Sequence, residues 1–269
     1  MPYERELAAA LEAADRARRA LLHLYADFQK IPDAPASIST AADRESQEII
    51  LGYLHENFPD DALCAEEETA TQDQATRTGP RLWIVDPIDG TRGFARKNGE
   101  FCVMVAFVEE GRIILGIVIE PASDRLTYAM RGGGCWRKDG VDVNAIPCRT
   151  SAVAELSKAT LTQSRSHNVE KPSGQVQALC PERVIETYSA GIKLALVARG
   201  EADIYLNTYD AFHDWDICAG HILVEEAGGT VTGLRGESLQ YGLPGAWQRH
   251  GLLASNGLLH ADALDRLRP

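Results

Sequence analysis

Residues 82–91 read Leu-Trp-Ile-Val-Asp-Pro-Ile-Asp-Gly-Thr, and no other stretch of the chain restricts its fold so tightly. The apolar run Leu82 to Val85 predicts a buried strand, and it leads straight into two carboxylates, Asp86 and Asp89. Pro87 fixes its own φ and keeps Asp86 extended. Charge is thus held at the lip of a rigid element, where a functional site gains positional accuracy. Two hard oxygen donors on a stiff turn suit Mg²⁺, which demands tight octahedral geometry. Gly90 lets backbone N–H groups approach an anion, and Thr91 adds a hydroxyl able to orient a water. Taken alone, an Asx-rich turn after a strand explains D-x-x-D-G equally well. Further members of a site have to be sought elsewhere.

The flanking patterns indicate a mixed architecture. Residues 3–29 carry apolar spacing near 3.6 and predict one long helix ending before Pro32. After a Pro/Ser/Ala loop, Ser39 or Thr40 is a cap for a second helix reaching Asn57, with Ile49, Ile50, Tyr53 and Leu54 inward. Asp43 falls in its first turn, where a carboxylate is either dipole-stabilising or functional. From Phe101 the runs to Val108, Ile113–Glu120 and Arg125–Met130 predict an antiparallel meander packed on those two helices. Gly132-Gly133-Gly134 lies between strands rather than before a helix, so a tight β-turn is preferred to a phosphate loop. Beyond about residue 150 the style becomes α/β: strands at Ala159–Gln163 and Ala202–Leu206, helices at Gly191–Arg199 and Asp214–Ala227. The expectation is an α+β or α/β chain of two domains. Residues 1–150 form an antiparallel-sheet unit and 151–269 a smaller α/β unit.

Composition removes several classes of function. A formal net charge of −12 argues against sequence-independent nucleic-acid binding, which relies on basic patches. An acidic chain still binds an anionic substrate if metal ions reverse the local field. No run approaches the ~18 apolar residues of a membrane span, and the N-terminus lacks the basic and apolar regions of a signal peptide. Six scattered cysteines without a C-x-x-C pair suit reduced thiols, so a cytoplasmic protein is expected.

Two further acidic groups stand out. Glu66-Glu67-Glu68 follows the apolar run Ala62 to Ala65. It is a solvated turn on its own, but Glu66 becomes a third ligand if that run pairs beside Leu82–Val85. Asp214-Trp215-Asp216 opens an apolar helix. Asp214 reads as its N-cap, whereas Asp216 points into the first turn of a buried helix and needs a cation or hydrogen-bond donors.

The motif Asp86-Pro87-Ile88-Asp89-Gly90-Thr91, the upstream glutamates, Trp215-Asp216-x₃-Gly220 and Glu226-Ala227-Gly228-Gly229 together resemble the inositol monophosphatase family of Mg²⁺-dependent, lithium-sensitive phosphatases. The likeness runs from Asp43 to the C-terminus. It implies a layered αβαβα sandwich. It also implies two or three Mg²⁺ ions held by Glu66, Asp86, the Ile88 carbonyl, Asp89 and Asp216, with Glu67 as the alternative register of the glutamate ligand. Asp43, Thr91 and Glu66 would then be catalytic, with Thr91 and Asp43 positioning and deprotonating the attacking water. Such a cluster lowers the pKa of water and supports in-line displacement without a covalent intermediate.

Substrate selectivity rests on other residues. Arg92, after the D-G-T, resembles the basic residue of the 3′(2′),5′-bisphosphate nucleotidase branch, as do Ser164-Arg165-Ser166-His167 and Lys193. A second phosphate needs a second cationic cluster, and Arg165, His167 and Lys193 would supply it. Lys193 reads equally as a snorkelling helix lysine. The branch usually has a small-hydroxyl pair where Ala190-Gly191 stand, an acid where Gly93 stands, and a lysine in the 31–38 loop. The resemblance assigns Asp89, Gly90, Thr91, Gly191 and Asp216 to the substrate as well. The expected reaction releases the 3′-phosphate of adenosine 3′,5′-bisphosphate; the alternative is an inositol or sugar monophosphate. The expected partner is a small anionic phosphate ester, without nucleic acid or membrane, on a chain that is a candidate homodimer. A dehalogenase-type phosphatase is disfavoured, because its D-x-D-G-T has one residue between the acids and this chain has two.

Overall fold

The computed structural model describes residues 2–140, 143–165, 173–209 and 211–268. In chain order the helices are α1 (Glu4–Asp27), α2 (Ala41–Asn57), α3 (Ala70–Gln74), α4 (Thr91–Ala95), α5 (Gly174–Leu179), α6 (Ala190–Ala198), α7 (Asp214–Glu226) and α8 (His260–Leu267). The strands are β1 (Ala62–Ala65), β2 (Arg81–Asp89), β3 (Cys102–Glu109), β4 (Arg112–Glu120), β5 (Arg125–Met130), β6 (Gly134–Asp139), β7 (Ile146–Pro147), β8 (Thr160–Gln163), β9 (Arg183–Glu186), β10 (Ile204–Asn207), β11 (Phe212–His213), β12 (Thr230–Thr232), β13 (Trp247–Gln248) and β14 (Leu252–Ser255).

Strands β1 to β7 lie side by side in sequence order in one sheet. The β1–β2 pair is parallel, with Ala65 opposite Val85, and the rest is the antiparallel meander that the apolar runs foretell. A second sheet has the order β12-β14-β10-β8-β9, and β11 pairs with β13 in a two-stranded ribbon.

Strand alternation builds the layers. Leu63, Trp83, Val85, Val103, Val105 and Phe107 pack with α1 and α2 on one face of the large sheet. Their neighbours Cys64, Leu82, Ile84, Met104 and Ala106 pack with α6 and α7 on the other. The same two helices also cover Tyr205, Leu252 and Ala254 of the smaller sheet. Leu161, Ile204, Leu206 and Leu253 point the opposite way, against α5 and α8. The result is an αβαβα sandwich, as the resemblance implied. Its central helices need close approach: a Cβ on Gly116 of β4 would stand 2.4 Å from the Ala219 carbonyl oxygen of α7.

Two sequence readings change in detail. Thr40 is the N-cap of α2, and the inward face of that helix carries Leu51 beside Ile50 and Leu54, with Ile49 and Tyr53 only half-buried. The N-cap of α7 is His213 rather than Asp214. Asp214 instead accepts hydrogen bonds from Gly242 N and Gln248 Nε2, both at 2.8 Å, which tie the last loop to the helix start. The glycine turn at 132–134 joins β5 to β6, and it does hold an anion: the N–H groups of Gly132 and Gly134 donate to the carboxylate of Glu226 at 2.9 and 3.0 Å.

Candidate active site

The register of β2 on β3 explains why both acids of the D-P-I-D turn face one way. Asp86 lies opposite Met104 and Asp89 opposite Cys102, so three steps on β2 match two on β3. The extra residue is a β-bulge at Pro87-Ile88, where the lack of an N–H on proline costs the ladder nothing. Cys102 and Met104 share the face that meets α6 and α7. The bulge therefore turns Asp86 and Asp89 toward those two helices, while Ile88 drops into the opposite core. Asp86 closes an Asx-turn by accepting from Ile88 N at 3.1 Å. Ser46 of α2 donates to the Pro87 carbonyl at 2.9 Å and fixes the bulge from the other side.

Glu66 follows Ala65, the partner of Val85, and so comes level with Asp86 across the parallel pair. Its register is set by Gln47, whose amide accepts from Glu67 N at 2.8 Å and donates to Glu67 O at 2.5 Å. The Glu67 carboxylate is engaged elsewhere: Ser39 Oγ donates to it at 2.6 Å and Arg44 stands 3.7 Å away. Asp216, in the first turn of α7, accepts from His213 N at 2.5 Å. Asp89 accepts from Ser189 Oγ and from Gly191 N at 2.6 Å, with Cys102 Sγ at 3.6 Å. Gly191 leaves no space for a side chain, because a Cβ would lie 2.4 Å from Met104 Sδ.

Thr91 and Asp43, 48 positions apart in sequence, meet here. Thr91 Oγ1 donates to Asp43 Oδ1 at 2.8 Å, with the Ile88 carbonyl at 3.0 Å as a second acceptor. The other Asp43 oxygen is held by Thr40 N at 2.8 Å and Thr40 Oγ1 at 2.7 Å, the capping box of α2. The capping arrangement thereby aims a buried carboxylate at the D-G-T threonine. Gly90 makes the turn with φ +89°, where a Cβ would come 2.6 Å from the Glu100 carbonyl.

The acids feel one another. Burial, then the charges of Glu66, Asp89, Asp216 and Asp43, raise Asp86 well above the usual carboxylate range. Glu66 keeps part of its surface exposed, yet desolvation by the surrounding protein and then the charges of Asp216, Asp43, Glu67 and Asp89 push it up to about 8. Asp216 rises to about 7, mainly by desolvation. Asp43 is also raised by burial, against the pull of its hydrogen bonds from Thr40 and Thr91. Among the described residues, no Lys or Arg nitrogen comes within 4 Å of Glu66, Asp86, Asp89 or Asp216. Nor do three of these side chains close into a ready-made metal cage, because several are turned onto internal donors.

A stability prediction follows from these shifts. A carboxyl whose folded pKa lies above its unfolded value stabilises below the unfolded value, and that contribution is lost as pH rises through the folded one. The window runs from 4.5 to about 8 for Glu66 and from 3.8 to about 7 for Asp216. Urea denaturation of the metal-free protein is expected to show stability falling across that window, and Mg²⁺ is expected to reverse most of the loss at its upper end. Constant stability in EDTA throughout would mean that the acids do not face one another.

The residues assigned to a second phosphate separate. Lys193 is buried, with Nζ donating to Ser164 Oγ at 3.0 Å and to the Thr187 carbonyl at 3.1 Å, and desolvation lowers it to about 8. It is neither a surface nor a snorkelling lysine. Arg165 is half-exposed and paired with the Glu100 carboxylate, its Nε 2.8 Å from one oxygen. His167 lies outside the described residues. Sequence reasoning missed the supporting hydrogen bonds of Ser189, Gln47 and Ser46. Ser189 carried a legible signal, as an N-cap residue directly before an apolar helical run.

The chain belongs to the inositol monophosphatase family, whose model matches residues 3–268. Members of this family are phosphatases and generally depend on Mg²⁺. The chain is 32% identical over 235 residues to a fructose-1,6-bisphosphatase/inositol-1-monophosphatase of Thermotoga maritima, covering 84% of this chain and 81% of that one. It is 31% identical over 213 residues to the 3′(2′),5′-bisphosphate nucleotidase CysQ of Salmonella typhimurium, covering 79% and 82%. A histidinol-phosphatase of Chlorobaculum parvum is 32% identical over 239 residues, covering 86% of each. Among solved structures, a Thermotoga maritima IMPase superposes with a TM-score of 0.81 at 27% identity, covering 98% of this chain and 96% of that one. Among the described residues, no helix is long and apolar enough to cross a membrane.

Proposed function

We propose that this chain is a Mg²⁺-dependent phosphomonoesterase that removes the 3′-phosphate of adenosine 3′,5′-bisphosphate, giving AMP and phosphate. The observation that carries the chemistry is the set of acids at the β2 bulge, which has no Lys or Arg nitrogen of the described residues within 4 Å and is crowded enough to raise Glu66, Asp86 and Asp216. Hard carboxylate oxygens lacking a protein cation are a donor set suited to Mg²⁺. Glu66, Asp86, Asp89, Asp216 and the Ile88 carbonyl would hold the ions, and Glu67 would stay with Ser39 and Arg44. When bound, Mg²⁺ neutralises phosphate charge and acidifies water.

The chain's own residues do the positioning. Thr91 gives its hydroxyl proton to Asp43 and thereby presents a lone pair that fixes a water proton. Asp43, held on its far oxygen by Thr40, is the proton sink. Ser189 and Gly191 orient Asp89. Gly90, with φ +89° and no Cβ to strike the Glu100 carbonyl, sets the turn that carries Thr91. No side chain is required as nucleophile, so water attacks phosphorus directly. A cytoplasmic setting suits the six free thiols.

The choice of bisphosphate is supported by the nucleotidase relatives and by the guanidinium groups of Arg92 and Arg165 gathered at Tyr188, the residue before Ser189. Inositol 1-phosphate is the second reading, favoured by the similarity to the Thermotoga maritima proteins. The deciding measurement is kcat/KM for 3′-phosphoadenosine 5′-phosphate beside inositol 1-phosphate and fructose 1,6-bisphosphate. The nucleotide is expected to lead by roughly 10²-fold, the size of a recognised second anion. Parity with inositol 1-phosphate would transfer the assignment to the monophosphate.

A further inference from the structure

Three guanidinium groups converge on one ring next to the site. Arg92, Arg96 and Arg165 place their central carbons 5.3, 5.7 and 5.6 Å from the centroid of Tyr188. Arg92 directly follows Thr91, Arg96 caps the end of the same short helix α4, and Tyr188 directly precedes Ser189, the donor to Asp89. The cluster is therefore tied by covalent neighbours to both halves of the acidic site. In a chain of net charge −12, three cations gathered around a half-buried tyrosine are out of keeping with their surroundings.

Among the described residues, the carboxylate seen to bond within the cluster is that of Glu100, which binds Arg165 and accepts from Tyr188 N at 3.2 Å. Glu186 adds a more distant charge toward Arg165. Arg96 is held differently. One of its terminal nitrogens donates to the Tyr188 hydroxyl, and its Nε is buried with no acceptor among the described residues. A buried guanidinium N–H without an acceptor is costly, and a bidentate oxyanion is the group that best satisfies that fork. Lys193 is excluded from direct contact, because its Nζ is buried under the Ser164 hydroxyl and the carbonyls of Thr187 and Tyr188. It braces the Tyr188 backbone from below.

We infer that Arg96 and Tyr188, with Arg92 alongside, form the receptor for a second anionic group of the substrate, and that Lys193 is a positioning residue for that receptor. The inference rests on the bisphosphate reading and deepens it, because it moves recognition of the remote phosphate from Lys193 to Arg96. Tyr188 keeps the guanidinium plane in place by cation–π contact and through its hydroxyl.

The test compares kcat/KM for adenosine 3′,5′-bisphosphate and for a monophosphate lacking the second anion, in the wild type, Arg96→Met and Arg96→Lys. In Arg96→Met the ratio of the two constants is expected to fall about 10- to 100-fold, mostly through KM for the bisphosphate. Arg96→Lys, which restores charge without the fork, is expected to recover only part of that loss. A wild type with no preference for the bisphosphate would remove the functional reading and this receptor together. A wild type that prefers it, with the preference intact in Arg96→Met, would overturn the receptor alone. A loss that Arg96→Lys does not relieve at all, with both variants melting well below the wild type, would make Arg96 a structural residue and equally overturn it.

Discussion

Asp89→Asn is expected to lower kcat by at least ~10³ in saturating Mg²⁺, about 4 kcal/mol of transition-state stabilisation. The substitution is nearly isosteric, and an amide oxygen still accepts from Gly191 N, so the loop that joins β9 to α6 keeps its anchor. What disappears is the charge. In the metal-free protein that charge raises Glu66, Asp86 and Asp216. Removing it relieves the repulsion, so metal-free Asp89→Asn is expected to match or exceed the wild type in urea denaturation near pH 8 while turning over far more slowly. A fold defect would lower both quantities together. Turnover close to wild type would remove Asp89 from the proposed ligand set, and with it the central role of the D-P-I-D bulge.

Legibility of the fold followed pattern length and side-chain periodicity. The 24-residue α1 and the strands β3 to β5 were legible because long amphipathic or apolar runs admit one reading. The β1–β2 pairing was legible because Ala62–Ala65 is wholly apolar, as a strand buried on both faces must be. The edge strand Arg183–Glu186 was not, since it exposes Val184 and carries charges at both ends. The same applies to α5, six residues long and dependent on α8 and the small sheet for its burial. Short elements of this kind are created by tertiary contact rather than by propensity.

The site was legible where chemistry dictates residue type, and obscure where geometry does. The candidate acids at 66, 86, 89 and 216 stood out because each ends or enters an apolar run, and Asp43 was named by the resemblance. Nothing local said that Gln47 would grip the Glu67 backbone and so select which glutamate faces Asp86. Lys193 shows the opposite failure. Its position on an apolar helix was visible, but a one-dimensional pattern could not distinguish exposure from burial beneath a loop. Arg96 was invisible because the contact that distinguishes it is with Tyr188, 92 positions away.

Thr91→Ala is expected to lower kcat about 10²-fold with little change in KM, within the range of a lost general acid–base contribution. The hydroxyl bonds to Asp43 and the Ile88 carbonyl, and without it the turn keeps its shape through Ser46 and the Asp86 Asx-turn. Asp43→Asn should resemble it in kcat, because an amide facing Thr91 either donates to the hydroxyl or accepts without taking a proton. The two losses should not add: in Thr91→Ala/Asp43→Asn the second substitution removes a partner already disabled, and the double variant should fall little below the worse single one. Single turnover in ¹⁸O-water should place the label in the released phosphate. Strict additivity of the two effects would mean that Thr91 and Asp43 act separately, and an acyl-phosphate trapped on Asp86 would replace direct water attack with a covalent route.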